Sequence, residues 1–553
     1  MDVLRIVFYF TLLIGPLVLF HELGHFLAAR FFGVKCIEFS IGFGPQILSW
    51  KPRETTFSFR LLPLGGYVRM LDSHDEETTR KPEDQGRAIT DKALWKRAII
   101  LAAGPVVNLL LPIPVFFVFL MLAPGVLPPV VGIVEPDLPA ATAGLEPGDR
   151  IVSIGGKRMD TFEDLQRQFA KSADKPLMLT VQRHDGVEEI ELTPQASKSR
   201  NPMLPMRIQA KGLVGIHLTQ YGPVIDIRDA QSIAAQAGLQ RFDTIIRIDD
   251  TPINLWSDIP AELEKDGEHH VVVLREAKTE DAWGDVRMRH PVTLTLPSGD
   301  PETLGLITAQ QTIWSVLPGS PADQAGLRVG DRLLQVDGVK QADMSWARSR
   351  LSVEPDRDHT LLVERDGEEV ELTIRPETRR VIAEFRSERE EVFIGFQPFN
   401  AMKYPPLDEL SGMRKFKHAL STAVRNTAQV AGSLVLGVGM LITGEVDSNS
   451  VGGPLMIADV ASQAAREGLR HFLSMMALIS VNLGVLNLLP IPGLDGGQLA
   501  VIGLEAINRG PLSARTRQMI QYVGLAFLIL LMLFVFKNDI ERYWRSVADW
   551  LNT

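Results

Sequence analysis

Residues 3–25 read VLRIVFYFTLLIGPLVLFHELGH, an apolar run broken only by Arg5 that ends in two histidines flanking a glutamate. About 18 or more apolar residues in succession are the length of a bilayer-crossing helix. Ionisable groups at the end of such a run are costly unless they bind or catalyse something. Helical residues four apart share a face, so His21 and His25 can direct both imidazoles at one metal ion. Glu22 lies about 100° round the axis, close enough to take a proton from a water held by that ion. No small-residue cleavage site closes the run, so it is expected to be retained rather than removed as a leader.

Working outward, 553 residues are enough for several domains. A formal net charge of -10, with no basic stripe, argues against nucleic acid as a partner. The single cysteine, Cys36, excludes an intrachain disulfide and a thiolate zinc site; it reads as a small buried residue. Further apolar windows lie near 98–123, 472–494 and 517–536. A shorter one, 429–442, follows the basic, amphipathic stretch MRKFKHALSTAVRNTAQV, which suits a helix lying on the lipid surface. Four spans are therefore expected.

Between the second and third spans the chain repeats itself. The copies are PAATAGLEPGDRIVSIGGKRM from Pro139, SIAAQAGLQRFDTIIRIDDTPI from Ser232 and SPADQAGLRVGDRLLQVDGVK from Ser320. A spacing of about 90 residues is one small domain, and the pattern resembles the PDZ domain in its bacterial, permuted form. Such a domain binds an extended peptide at a sheet edge; the units could equally be spacers or steric filters. The middle copy departs, with Phe242 where the others have Gly148 and Gly330 and a charged insertion over about Glu276 to Arg289, which puts its groove in doubt. The expected organisation is a membrane half over 1–126, PDZ-like units over 127–210, 211–300 and 301–398, a surface helical linker over 399–468, and a second membrane half over 469–553.

A catalytic zinc needs three protein ligands and an open position. The third is expected in Asn487-Leu-Leu-Pro490-Ile-Pro492-Gly-Leu-Asp495-Gly-Gly, where prolines and glycines must break the helix. Irregular backbone at membrane depth persists only where protein buries it or water reaches it. Asp495 is the one acidic group there. With four spans the first and third run in the same direction, which brings Asp495 to the depth of His21 and His25; a fifth crossing at 429–442 would reverse this. The rival His471 sits at the far mouth of that span, about 30 Å away by helical rise. Lys35, Lys51, Arg53, Arg60, Arg69, Arg80, Lys81, Arg87 and Lys92 put the loop after the first span in the cytoplasm, with the termini and the repeats outside.

In that loop, IGFGP (41–45) and PLGGYVRM (63–70) flank the alternating run TFSFRLL, which predicts a β-hairpin dipping into the membrane beside the site. A helical substrate must unwind before its amides can be attacked, and a strand over Gly65, Gly66, Tyr67, Val68, Arg69 and Met70 could pair with the extended segment. Asn487, ahead of the proline break, could hold the scissile carbonyl or oxyanion. Asn108, in AGPVVN beside an expected kink at Pro105, could orient a partner helix, bond a neighbouring carbonyl or contact substrate.

The ordered set HELGH, GFGP, GGYVRM, AGPVVN, tandem PDZ-like units and NLLPIPGLDGG resembles the site-2 protease family over essentially the whole chain. The resemblance implies a multi-pass α-helical bacterial inner-membrane zinc endopeptidase with one catalytic zinc. His21, His25 and Asp495 match the family's metal ligands, Glu22 its general base and Asn487 its substrate-fixing residue. It also implies single-pass membrane substrates, with the second cut of an anti-sigma factor in envelope-stress signalling and the clearance of remnant signal peptides as roles. A third PDZ-like unit and Gln498, where histidine is common, are departures. A catalytically silent scaffold is the rival reading, but it would have no need of Glu22 beside two imidazoles.

Overall fold

The computed structural model describes residues 2–552 apart from 73–81, 136–137, 184–185, 202–203, 282–283, 341–343, 354, 383–387, 400–401, 445–451 and 511. Arg80 and Lys81 of the basic loop therefore lie outside the described residues. The membrane part begins with helix α1, Asp2–Phe31, which carries the histidine pair and continues beyond it. Strands β1, Cys36–Trp50, and β2, Thr56–Met70, form the expected hairpin. The next helix comes in two pieces, α2, Leu94–Leu110, and α3, Pro112–Leu122. The helix continues through Pro105, and its hydrogen-bond ladder is interrupted after Leu111, where Pro112 has no N–H to extend it and starts α3 at a position where that N–H is not needed.

After the repeats come α4, Gly412–Thr443, α5, Pro454–Glu467, and α6, Leu469–Leu488. Helices α7, Asp495–Ile507, and α8, Ala514–Asn552, complete the chain. Among the described residues, five helices are long and apolar enough to cross a membrane. The extra one is α4, in which the amphipathic stretch and the 429–442 window fuse into a single helix of 32 residues. It is the least apolar of the five, with mean hydropathy 1.3 against 1.6 to 2.5 for the others. The third expected span also ends early. Leu489 is extended, and Asp495 starts a separate helix instead of sitting inside the span, since neither Pro490 nor Pro492 can donate to a helical ladder.

Packing fixes helix directions. Tyr9 of α1 meets Phe472 at the start of α6, with ring centroids 6.2 Å apart, while Leu13, Ala461 and Phe472 share a buried cluster. The other end of α1 meets the segment that follows α6. Helix α6 runs against α2: Ser480 Oγ donates to the Asn108 carbonyl at 2.7 Å, and Gly484 lies against Pro105 and Leu109 so closely that a Cβ would stand 2.9 Å from both. Helix α4 starts beside the end of α3, where Lys415 Nζ donates to the Ala123 carbonyl at 2.9 Å and Phe416 packs on Phe117. Half-way along α4, Arg425 Nε lies 3.9 Å from Glu163 of the first repeat. Helix α5 begins under Asp539 of α8, whose carboxylate accepts from the Gly453 and Leu455 amides.

The three repeats share one topology. Each is a four-stranded sheet in the order second, first, third, fourth: Lys157–Arg158, Arg150–Ile154, Leu177–Arg183, Gly186–Leu192 in the first, with the same order in the others. Each has its own apolar core. The strands that close the units fall later than the sequence boundaries at 210 and 300. Ile216–His217 pairs back on Ile133–Val134, and Leu306–Thr308 on Ile225–Ile227. A closing strand belongs to the unit whose first strand it pairs with, and local sequence does not report that pairing. The charged insertion of the middle unit is an extension of its hairpin, in register from Glu276 opposite Arg289 to Asp281 opposite Gly284.

Phe242 takes the left-handed conformation of the glycines it replaces, at φ 68 against 98 for Gly148 and 93 for Gly330. That geometry strains a bulky residue. Its ring is held between Trp314 and Phe399, at 4.6 and 4.9 Å between centroids, so aromatic packing against the third unit offsets the strain.

One ion pair recurs in every unit. Arg183 clasps Asp149, Arg275 clasps Asp243 and Arg365 clasps Asp331, each with two contacts between 2.7 and 3.0 Å, and each arginine also donates to a backbone carbonyl, of Gly144, Gly238 or Gly326. The three carboxylates are buried, and breaking a buried pair strands its partner. Asp331→Ala is expected to destabilise the third unit by about 3–5 kcal/mol, measured as faster hydrogen exchange over 332–336, while the first unit keeps its protection.

Candidate metal centre

His21 and His25, one turn apart on α1, place their Nε2 atoms 3.2 Å from each other. Asp495 Oδ2 lies 3.1 Å from His21 Nε2 and 3.4 Å from His25 Nε2. All three residues are largely shielded from solvent. Among the described residues this is the only cluster of three histidine, cysteine or acidic side chains with ligand atoms within 4.8 Å of one another. The donor set suits zinc. Ligands about 2.0–2.1 Å from a tetrahedral zinc stand about 3.3 Å apart, which is the spacing these three atoms already have.

Each ligand is positioned by its own local device. Asp495 reaches the histidines because the chain turns sharply after α6, with Gly493 at φ 96. Gly496 and Gly497 then let the turn fold onto the start of α7; Cβ atoms there would stand 2.2 Å from the Leu489 carbonyl oxygen and 2.3 Å from that of Ile491. On the other side, α1 and α2 meet through glycines. A Cβ on Gly24 would lie 2.5 Å from the Ala103 oxygen, and one on Gly104 would lie 2.2 Å from His25 Nε2. His25 Nδ1 sits 2.8 Å from the Ile100 carbonyl, so Nδ1 carries the proton and Nε2 is left as the ligand atom. The far end of α7 is tied to α2 by a buried pair, Arg97 Nη1 to Glu505 Oε2 at 3.0 Å.

Glu22 is buried next to the ligands, and β2 packs directly on it. A Cβ on Gly66 would stand 3.0 Å from Glu22 Cγ and 2.7 Å from the Ser40 oxygen. The 38–41 segment of β1 pairs on both sides, with Glu38 opposite both Arg69 and Thr56, and Ile41 opposite both Gly66 and Phe59. The Gly66–Met70 segment is therefore an edge of this small sheet, next to Glu22. Gly65, at φ 102, sits against the Phe43 ring. Tyr67 is held by Arg60, which donates from Nη2 to Tyr67 Oη and Glu38 Oε1, both at 2.8 Å.

The sequence expectations divide at this point. His21, Glu22, His25 and Asp495 come together. Val68 and Met70 turn their side chains toward the core formed by Ala29, Val34, Cys36 and Ile100, so only their backbone is available to a substrate, and Arg69 is exposed. Asn487 falls in the last turn of α6, half-buried ahead of Pro490. Asn108 is completely buried behind His21, with Nδ2 3.2 Å from His21 Nδ1 across the α1–α2 interface. Gly24, Gly104 and the Ile100 carbonyl were not anticipated. The one available signal was the pair of glycines in HELGH and AGP, small residues of the kind that let membrane helices approach closely.

Residues 9–531 match the family model described as Peptidase family M50. A putative zinc metalloprotease of Vibrio cholerae is 30% identical over 538 residues, covering 96% of this chain and 98% of the relative. The regulator of sigma-E protease RseP of Escherichia coli is 30% identical over 543 residues with the same coverage, and that of Salmonella typhimurium is 29% identical over 547. A PDZ domain protein from Parabacteroides distasonis matches 49% of this chain and 95% of its own at 10% identity, with a TM-score of 0.13 that is too low to bear on the arrangement of the units. The chain belongs to peptidase family M50, the metalloproteases of the site-2 type.

Proposed function

We propose that this protein is an intramembrane zinc endopeptidase that cuts within the transmembrane segments of single-pass membrane proteins. The observation that carries the reading is the meeting of Asp495 with His21 and His25 at 3.1 and 3.4 Å. These three residues would hold one zinc ion per chain. When bound, zinc supplies a Lewis acid that makes water a competent nucleophile near neutral pH. Glu22 accepts the proton as water attacks the scissile carbonyl, then delivers it to the departing amine, so the C–N bond breaks with the proton returned. The edge strand Gly65–Met70 pairs with the unwound substrate backbone, and Asn487 holds the scissile carbonyl.

The helices support a four-crossing arrangement in a bacterial inner membrane. Helix α8 passes Pro492 at Gly524, close to the metal site. Asp539 is 15 residues further on (539 − 524), about 22 Å by helical rise, and it caps the start of α5. Helix α4 also starts at the end away from the site, beside Ala123. The chain thus leaves and returns to one side, and α4, touching the first repeat through Arg425, lies along that surface. On this reading the PDZ-like units and both termini are periplasmic and the zinc lies toward the cytoplasm. The groove of the third unit, about 600 Å³ and lined by Leu317, Met344, Arg348, Ile394 and Phe396, is where a peptide ligand would add.

The substrates would be an anti-sigma factor already shortened outside the membrane, in envelope-stress signalling, and remnant signal peptides. Reconstitution with a single-span protein lacking its ectodomain tests the chemistry. Cleavage should disappear with a zinc chelator and return on adding zinc. Failure of the unmutated protein to cut any single-span substrate would favour a scaffold instead.

A further inference from the structure

We infer that Asn108 is a positioning residue that supplies an acceptor for the Nδ1–H of His21 in its metal-binding tautomer, and so sets the metal affinity of the site. The inference rests on the zinc reading above. Asn108 is fully buried on α2, and its main chain is anchored by Ser480 across the helix interface. Its Nδ2 lies 3.2 Å from His21 Nδ1, while its Oδ1 has no partner. A buried amide with a bare oxygen is costly, so the position is held for a reason other than packing.

The tautomers give that reason. His25 Nδ1 donates to Ile100, so His25 Nε2 presents a lone pair. With His21 Nε2 at 3.2 Å from it, the two nitrogens can share a hydrogen bond in the metal-free site only if His21 carries its proton on Nε2. His21 Nδ1 is then an acceptor, and Asn108 Nδ2 is correctly aimed to donate to it. Metal binding requires the opposite tautomer, with His21 Nε2 free and Nδ1 protonated. A half-turn of the amide exchanges its two ends and brings Oδ1, the bare acceptor, onto that N–H. An amide supports both tautomers, a carboxylate supports only the metal-binding one, and an aliphatic side chain supports neither. His25 has a carbonyl for this purpose, and His21 has Asn108.

The test is zinc affinity, read on the purified full-length protein by competition with a chromophoric chelator. Asn108→Leu, close in volume, should weaken zinc about 10–100-fold. Asn108→Asp, which still accepts from Nδ1–H, should restore affinity to the unmutated level or better. Equal affinity in Asn108→Leu and the unmutated protein would overturn the inference. So would an Asn108→Asp protein as weak as Asn108→Leu, since packing alone would then explain the loss. An unmutated protein that takes up no zinc would overturn the metal reading itself, which separates that failure from this one.

Discussion

Glu22→Gln should lower peptide-bond cleavage about 10²–10⁴-fold, the range for removing a general base, while the zinc content of the purified protein stays unchanged. The side chain is isosteric, and Glu22 is not among the three converging ligands. Its carboxylate is buried between α1 and the edge strand, where Gly66 leaves it just enough room. Glutamine keeps that packing but cannot accept the proton of the attacking water. Metal analysis and cleavage of a single-span substrate, measured on the same preparation, check both halves. If zinc falls together with activity, Glu22 is holding the site together rather than moving a proton. If cleavage persists, another base operates and the assignment is wrong.

Gly104→Ala should be as damaging without replacing any ligand. The added Cβ would stand 2.2 Å from His25 Nε2 and 2.7 Å from two of its ring carbons. Neither side can yield cheaply. His25 is pinned by the Ile100 carbonyl, and α1 meets α2 just as closely at Gly24 and Ala103. Overpacking of this kind costs about 1–3 kcal/mol of stability. Because the atom displaced is the metal-binding nitrogen, zinc affinity should fall at least about 100-fold and cleavage should vanish. Gly503→Ala is the control: it is on α7 with nothing within 4 Å of the added methyl, and alanine there should leave zinc and cleavage intact while stabilising the helix by about 0.5–1 kcal/mol. Equal zinc affinity in the two variants would show that the α1–α2 contact is looser than the structure places it.

These outcomes bear on how the centre is built. Two ligands come from one turn of one helix, and the third comes from a helix start 470 residues later (495 − 25). The intervening repeats are a separate layer of construction, each with its own core and its own clasped arginine and aspartate. Their contribution to the membrane part reaches it through contacts such as Arg425 with Glu163. The second and third units are joined more tightly, through Phe242 between Trp314 and Phe399 and through Arg228 with Glu364 at 2.7 Å.

What the sequence determined was whatever one or two turns can encode. The four-residue spacing of His21 and His25, the long apolar windows, the threefold repeat and the helix-breaking prolines before Asp495 were all legible there, because each follows from backbone geometry over a few residues. Only the tertiary structure decided the rest. It put the Ile100 carbonyl behind His25 and Asn108 behind His21, pressed Gly104 against a ligand ring, fused α4 into one helix and moved the unit boundaries to strands that pair back across some 80 residues. Such contacts depend on which small residues let two helices approach and on which distant strand completes a sheet. Neither leaves a periodic trace in the chain, since each is settled by packing between segments far apart in sequence.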